Sequence, residues 1–145
     1  MADVYWLKTN CLFVQIEEEG VLRSVILDLQ ENTHYRPTET AAFILSLMAS
    51  DQGVKKSDMV NKLKQKYQNI TDQDIDGAIT TILAKRTGTG MNKEPLVLTK
   101  DVTVGPPDVA FDVGVKKDWK SLPAPDIKPH GTVCTIGKVI AYKPG

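Results

Sequence analysis

Residues 24–48 place an apolar strand, a polar turn, a second short strand and a helix in direct succession. The turn contains Asn32, which we expect to take a positive φ, and it leads into a short strand at residues 33–36. Pro37 ends that strand, because proline has no backbone N–H to donate to a ladder. A strand of this kind is typical of a sheet edge, where unpaired N–H and C=O groups can receive another extended segment. A covering helix or loop is an equally open interpretation.

The residues before this segment predict the rest of one sheet. Residues 5–17 are expected to form a single strand, in which alternate apolar residues face the core. A polar turn ending at Gly20, which takes positive φ without steric cost, returns the chain into the strand at residues 25–29. With residues 33–36 added, the prediction is a three-stranded antiparallel sheet.

Three amphipathic helical patterns follow the sheet. Thr38 or Thr40 is the expected N-cap of the first helix. The second is predicted over residues 54–67, with its lysines on a solvated face. The third begins with a sequence similar to a capping box at residues 71–74. The predicted fold class is therefore α+β, a winged-helix-like module of three strands followed by three helices.

Glycines mark the middle and the end of the third helix. Gly77 costs roughly 1 kcal/mol relative to alanine, which indicates tight packing on the sheet or close approach of a peptide, and we favour packing. Gly88 and Gly90 are expected to end the helix, and residues 94–99 to form a closing strand or extended arm.

Charge argues against a nucleic-acid partner. The chain has 18 basic and 18 acidic residues, so counterion release gives no reason to expect a polyanion. The third helix presents Asp72, Asp74 and Asp76 where a recognition helix needs Arg, Lys, Asn or Gln. DNA binding by the winged helix is therefore a disfavoured alternative.

Few residues offer catalytic or metal-binding chemistry. His34 and His130 lie in no metal-ligand spacing, and the spacing of His130 and Cys134 does not bring them together in an extended segment. We predict no catalytic residue, no metal and no cofactor. The cysteines, Cys11 and Cys134, are expected to be free thiols of a cytoplasmic protein, since the chain shows neither a secretory signal nor an apolar run of roughly 18 residues.

The order of these patterns resembles a known family. A strand at residues 25–29, a polar turn, Tyr35, the run Pro-Thr-Glu-Thr-Ala-Ala-Phe-Ile from Pro37, and a lysine-rich helix ending at Tyr67 look like the PqqD-like domains, the recognition elements of ribosomal peptide modification systems. The similarity covers residues 10–99. One departure is the longer connection at residues 85–93, which replaces the usual apolar end of the third helix.

The resemblance implies a binding protein without catalysis, which captures the leader of a precursor peptide and presents it to a modifying enzyme or a leader protease. In the family the leader adds as a strand beside the third strand, and its side chains enter a groove bounded by the third helix. Carried onto this sequence, the peptide-binding residues are Thr33, His34, Tyr35, Arg36, Ile75, Ala78, Ile79, Ile82 and Leu83. Some of these helix residues must face the domain's own core, and the sequence leaves that division open.

Residues 100–145 differ in kind, since they are proline-rich with few helical repeats, and are predicted to form an extended C-terminal tail after a domain at residues 1–99. Residues 119–137 resemble a lasso-peptide leader. The residues that carry this likeness are Trp119, Pro125, Ile127, Gly131 and Thr135. The residues from Gly137 onward lack the Asp or Glu that a lasso ring requires, so the tail is not itself a lasso product.

A tethered leader binds at an effective concentration in the mM range, so even a weak one would occupy the groove in cis. We expect Ile127 and Val133, or residues near them, to dock against residues 33–36 and the third helix. Exchange of the tail between copies would give a domain-swapped dimer. The alternative is a structural tail, in which residues 102–115 and 132–142 add strands to the sheet.

Overall fold

The computed structural model describes residues 3–49, 53–87, 94–101, 116–133 and 139–144. They form a mixed α+β structure with three helices and antiparallel sheets, which confirms the α+β class of the prediction. The helices are α1 (Glu39–Met48), α2 (Lys56–Lys66) and α3 (Asp72–Leu83). In the part of the chain that is described, no helix is long and apolar enough to cross a membrane.

The strands, in chain order, are β1 (Asp3–Leu7), β2 (Cys11–Glu18), β3 (Val21–Asp28), β4 (Thr33–Pro37), β5 (Val54–Lys55), β6 (Tyr67–Gln68), β7 (Arg86–Thr87), β8 (Glu94–Pro95), β9 (Val97–Asp101), β10 (Lys117–Asp118), β11 (Ile127–Thr132) and β12 (Val139–Pro144). The main sheet has five strands in the order β11-β4-β3-β2-β12, and every neighbouring pair is antiparallel. A second, three-stranded sheet has the order β5-β1-β9. The predicted three-stranded sheet thus corresponds to β2, β3 and β4, and the tail extends it on both sides.

The prediction of one strand over residues 5–17 is wrong. The chain turns after β1, where the N–H of Cys11 donates to the carbonyl of Lys8 at 2.9 Å, and β1 pairs in the second sheet while β2 enters the main one. The next two turns agree with the sequence. Asn32 has φ of 52°, and Gly20 has φ of 78° beside Glu19 at 51°, which is the backbone of a two-residue hairpin turn with both φ positive.

Two apolar clusters cover the two faces of the main sheet, because successive residues in a strand point to opposite faces. Phe13 and Ile26 face the helices and belong to the larger cluster. Val14 and Val25 face the other way, in a smaller cluster with Ile16 and Leu27. The alternation predicted for β2 therefore holds, and on the face with Phe13 the next two residues, Gln15 and Glu17, are exposed.

The helix boundaries depart from prediction where short strands interrupt the pattern. The α2 helix begins at Lys56 and ends at Lys66, because β5 and β6 occupy the positions on either side of it. The α3 helix begins with a capping box, in which the N–H of Asp74 donates to Thr71 Oγ1 at 3.1 Å and the N–H of Thr71 donates to Asp74 Oδ2 at 3.0 Å. It ends at Leu83, while Gly88 and Gly90 lie outside the described residues.

Candidate functional site

The outer side of β4 is paired with β11, a segment of the chain's own tail. The register pairs are Ile127 with Pro37, Lys128 with Arg36, Pro129 with Tyr35, Gly131 with His34, and Thr132 with Thr33. A bulge between Pro129 and Gly131 leaves His130 as the extra residue. The strand predicted to lie at a sheet edge is therefore an inner strand of the described sheet, since the leader-like segment occupies its edge.

Ile127 anchors this segment in the main core. Its side chain is only 4% exposed and belongs to the same buried cluster as the apolar face of α3. Full burial of an isoleucine side chain stabilises by roughly 1.5–3 kcal/mol. The first residue of β11 is thus held by packing as well as by strand pairing.

Trp119 provides a second anchor at the other end of the docked segment. It begins a short 3-10 helix (Trp119–Ser121) directly after β10, which runs parallel to β6. Its ring meets Tyr67 edge-on, with ring centroids 5.1 Å apart and an interplanar angle of 72°, and Tyr67 meets Phe43 in the same manner at 5.8 Å. Burial, together with the nearby charge of Glu39, raises the pKa of Tyr67 to about 12.

Between the two anchors the tail passes along α3. Leu122 packs against the main core, and the carbonyl of Pro123 accepts a hydrogen bond from Thr40 Oγ1 at 3.3 Å. A cleft of about 460 Å³ remains between the tail and the helix, and Gly77 and Ala78 line it. The segment is thus packed at its ends, while Pro123 and Ala124 between them are exposed.

Both explanations offered for Gly77 are wrong. A Cβ added at Gly77 would meet no heavy atom within 4 Å, so the glycine supports neither tight packing nor a close backbone approach. Its carbonyl accepts a hydrogen bond from Thr81 Oγ1 at 2.9 Å, and the residue lies exposed on the wall of the cleft.

Asp126 makes the densest set of polar contacts in the docked segment. Thr38 donates its N–H to the Asp126 carbonyl at 2.8 Å and accepts the Asp126 N–H on Oγ1 at 3.0 Å. Lys85 Nζ lies 2.5 Å from Asp126 Oδ1, which also accepts the N–H of Ile127 at 2.8 Å. The Lys85 ammonium, followed by the Ile127 N–H, holds the pKa of Asp126 below its usual range.

Other ion pairs join the tail to the helices at the solvent-facing rim. Lys120 Nζ lies 2.5 Å from Asp74 Oδ2 and lowers the pKa of that carboxyl, and Lys117 pairs with Glu39. Exposed pairs of this kind contribute little each. They place two lysines near the start of the docked segment, Lys117 and Lys120, next to acidic residues of α1 and α3.

The acids that argued against DNA binding are each paired with a lysine. Asp74 meets Lys120, Asp72 meets Lys64 at 2.7 Å, and Asp76 meets Lys56 at 3.2 Å. The N-terminal end of α3 thus presents acidic side chains, each in an ion pair with a lysine. Two of these partners, Lys56 and Lys64, are among the α2 lysines that we predicted to lie on a solvated face.

The structure brings His34 and His130 together, which the sequence did not indicate. Their ring centroids are 5.1 Å apart, and His34 is buried, with its Nδ1 lying 3.0 Å from the carbonyl oxygen of Thr132. His34 lies opposite Leu27 in the ladder, on the sheet face away from the helices. The contact depends on the pairing of β4 with β11, whose register cannot be read from local sequence.

The predicted helix residues divide between core and groove. Ile75 and Ile82 are fully buried in the main cluster, Ile79 is nearly so, Ala78 lines the cleft beside the tail, and Leu83 is half-buried.

The predicted tail residues also divide. Trp119 and Ile127 are anchors, Pro125 lines the cleft, and Gly131 follows the bulge. Val133 lies just past β11, where its N–H donates to the carbonyl of Asn32 at 3.1 Å and its side chain joins the smaller cluster on the other sheet face. Thr135 lies outside the described residues.

The sequence did not point to Asp126 of the docked segment or to the two residues that bind it, Thr38 and Lys85. The only available signal was the prediction of Thr38 as a helix N-cap. Thr38 does precede α1, but its hydroxyl makes no capping hydrogen bond and contacts the tail instead.

Within the described residues no group of His, Cys, Asp and Glu is arranged to hold a metal ion. Cys11 is a buried free thiol, and burial, with a smaller effect from the charge of Asp28, raises its pKa to about 12. Cys134 lies outside the described residues. No family model, curated protein or solved structure matches this chain.

Proposed function

We propose that this protein is a non-catalytic, PqqD-like and winged-helix-like module that binds the leader of a ribosomally synthesised precursor peptide by strand addition along β4. The bound leader is presented to a modifying enzyme or a leader protease in the cytoplasm. The tail occupies the same groove in cis and is displaced, or exchanged between copies, when a leader binds.

The observation that carries this proposal is the pairing of β11 with β4. The leader-like segment lies antiparallel along the strand where the family resemblance puts the peptide, with Ile127 buried beside α3 and Trp119 on Tyr67. Strand addition of this type draws affinity from main-chain hydrogen bonds and specificity from pockets for alternate side chains. The groove therefore has both elements that a receptor for an extended peptide needs.

A structural role for the tail is the second candidate, and β12 favours it. This strand pairs antiparallel with β2 on the far side of the main sheet, with Tyr142 opposite Val14 in the ladder. A tail that closes both sides of one sheet is also what a permanent structural extension would do. The two accounts differ in whether the groove accepts a separate peptide.

The test uses the full chain with its tail weakened at both anchors by Trp119→Ala and Ile127→Ala. A fluorescent peptide of residues 116–133 is titrated in, and binding is followed by anisotropy. The wild-type chain should bind at least tenfold more weakly than the double variant, because its tethered tail competes at an effective concentration in the mM range. Lys116→Ala, at an exposed residue that precedes β10, is the matched control and should behave as the wild type does.

A double variant that keeps its helical circular dichroism but binds no peptide contradicts the proposal and supports the structural tail. If the double variant unfolds, a protease site inserted within residues 102–115 provides a second route. The cut wild-type chain should then exchange its tail for a labelled peptide of residues 116–144, whereas a structural tail should leave only by global unfolding.

A further inference from the structure

We infer that the groove selects peptides in which an acidic residue immediately precedes the buried aliphatic residue, and that Lys85 reads this acid. The inference rests on the proposed function and names its ligand class, an extended peptide with an aromatic residue upstream of an acidic and aliphatic pair. In the cis complex these positions are filled by Trp119, Asp126 and Ile127.

The main chain around Pro37 fixes where the acid must lie. The last ladder pair is Ile127 with Pro37, and Pro37 has no N–H to offer the docked strand. Thr38 takes over beyond it, donating its N–H to the carbonyl of Asp126 and accepting the Asp126 N–H on its hydroxyl. Any residue except proline can make both backbone bonds, so they set the register of the bound peptide with little selection of its side chain.

Lys85 makes the groove selective for an acidic side chain at position 126 of the bound segment. It follows α3, and its ammonium lies 2.5 Å from Asp126 Oδ1 with both side chains about one-third exposed, at 30% and 34%. The same oxygen accepts the N–H of Ile127. A charge-assisted hydrogen bond in a partly buried site is stronger than a neutral one, whereas a basic residue at this position would face Lys85 directly.

The rim pair of Lys120 with Asp74 does not impose the same requirement. The Lys120 side chain is 54% exposed, and water can replace either partner. Substitutions of Lys120 in a bound peptide should therefore change its affinity little, whereas substitutions of Asp126 should weaken its binding.

The experiment compares trans peptides on the full chain that carries Trp119→Ala and Ile127→Ala in its own tail. Peptides of residues 116–133 carry Asp126, Asp126→Asn or Asp126→Lys. We expect the Asn peptide to bind about five- to tenfold more weakly than the parent, and the Lys peptide more weakly still. Lys85→Glu in the receptor should reverse this order, so that the Lys peptide becomes the best ligand.

Lys62→Glu makes the same charge change on α2 and serves as the matched receptor control, which should preserve the original order. Equal binding of all three peptides, or an order unaffected by Lys85→Glu, overturns the inference and leaves the proposed function in place. Failure of every peptide to bind the tail-weakened chain overturns both.

Discussion

Gly77 is exposed in the middle of α3, and the space where a Cβ would lie is open. Since glycine costs roughly 1 kcal/mol relative to alanine inside a helix, Gly77→Ala should raise the free energy of unfolding by about that amount and the melting temperature by roughly 2–4 °C. Calorimetry checks both.

Gly53→Ala is the contrasting control for this substitution. Gly53 has φ of 74°, and its added Cβ would lie 2.8 Å from the carbonyl oxygen of Tyr5, so this variant should be less stable than the wild type. A Gly77→Ala chain that melts lower than the wild type would mean that the tail closes on this part of α3 in solution.

The ion pair of Asp126 with Lys85 makes tail docking sensitive to acid. The pKa of Asp126 is depressed in the folded chain, so its contribution is complete above its unfolded pKa of about 4 and is lost as the pH falls through the lower folded value. The stability difference between the wild type and Asp126→Asn should therefore be constant near neutral pH and shrink below about pH 4. Urea titrations at a series of pH values measure it, and a difference that grows in acid would contradict the assignment.

The conformations and contacts of some residues could be predicted from their neighbours in the sequence, and those of others could not. The positive φ of Asn32 and Gly20 and the capping box of Thr71 depend on neighbours within a few residues, and all three are confirmed. Asp126 depends on Lys85, which is distant in sequence, and on the register of β11. A residue whose partner is chosen by tertiary pairing carries no local mark.

At the scale of elements, α1 and α3 both begin after a threonine, and the two threonines make different interactions. Thr71 caps α3, while Thr38 bonds to Asp126 of the tail. Thr71→Ala should cost about 1 kcal/mol and speed amide exchange in the first turn of α3. Thr38→Ala should cost about 0.5–1.5 kcal/mol and speed exchange at Asp126 and Ile127.

Residue-resolved hydrogen exchange separates these outcomes, with each variant serving as the other's control. Faster exchange in the first turn of α1 for Thr38→Ala, with the tail amides unchanged, would show that Thr38 acts as an ordinary cap.

Element types were more predictable than their boundaries and partners. The three helices follow from their apolar periodicity, since each must bury one face. The break between β1 and β2 falls at Lys8, Thr9 and Asn10, a polar interruption of the strand pattern that the prediction did not use. The short strands β5 and β6 shorten α2 through pairing with distant segments, which no local pattern reports.

At the scale of the molecule, both outer strands of the main sheet come from the tail. β11 covers β4 and β12 covers β2, so a chain cut after β9 would leave two strands with unpaired backbone groups. Open strands of this kind invite pairing with other chains. Self-association of such a fragment would therefore say nothing about its ligand, which is why the full chain suits the binding experiments better.

On the proposed function, the antiparallel pairing of β11 also gives a bound leader a direction. The docked chain runs from Trp119 beside the helices, through the buried Ile127, to the β3–β4 turn. There the Val133 N–H donates to the carbonyl of Asn32, and the Val133 side chain packs on the sheet face away from the helices. A threaded leader would thus deliver its downstream end at one fixed exit. An enzyme that acts on this downstream end would therefore approach the receptor at the β3–β4 turn and not from the side of the helices.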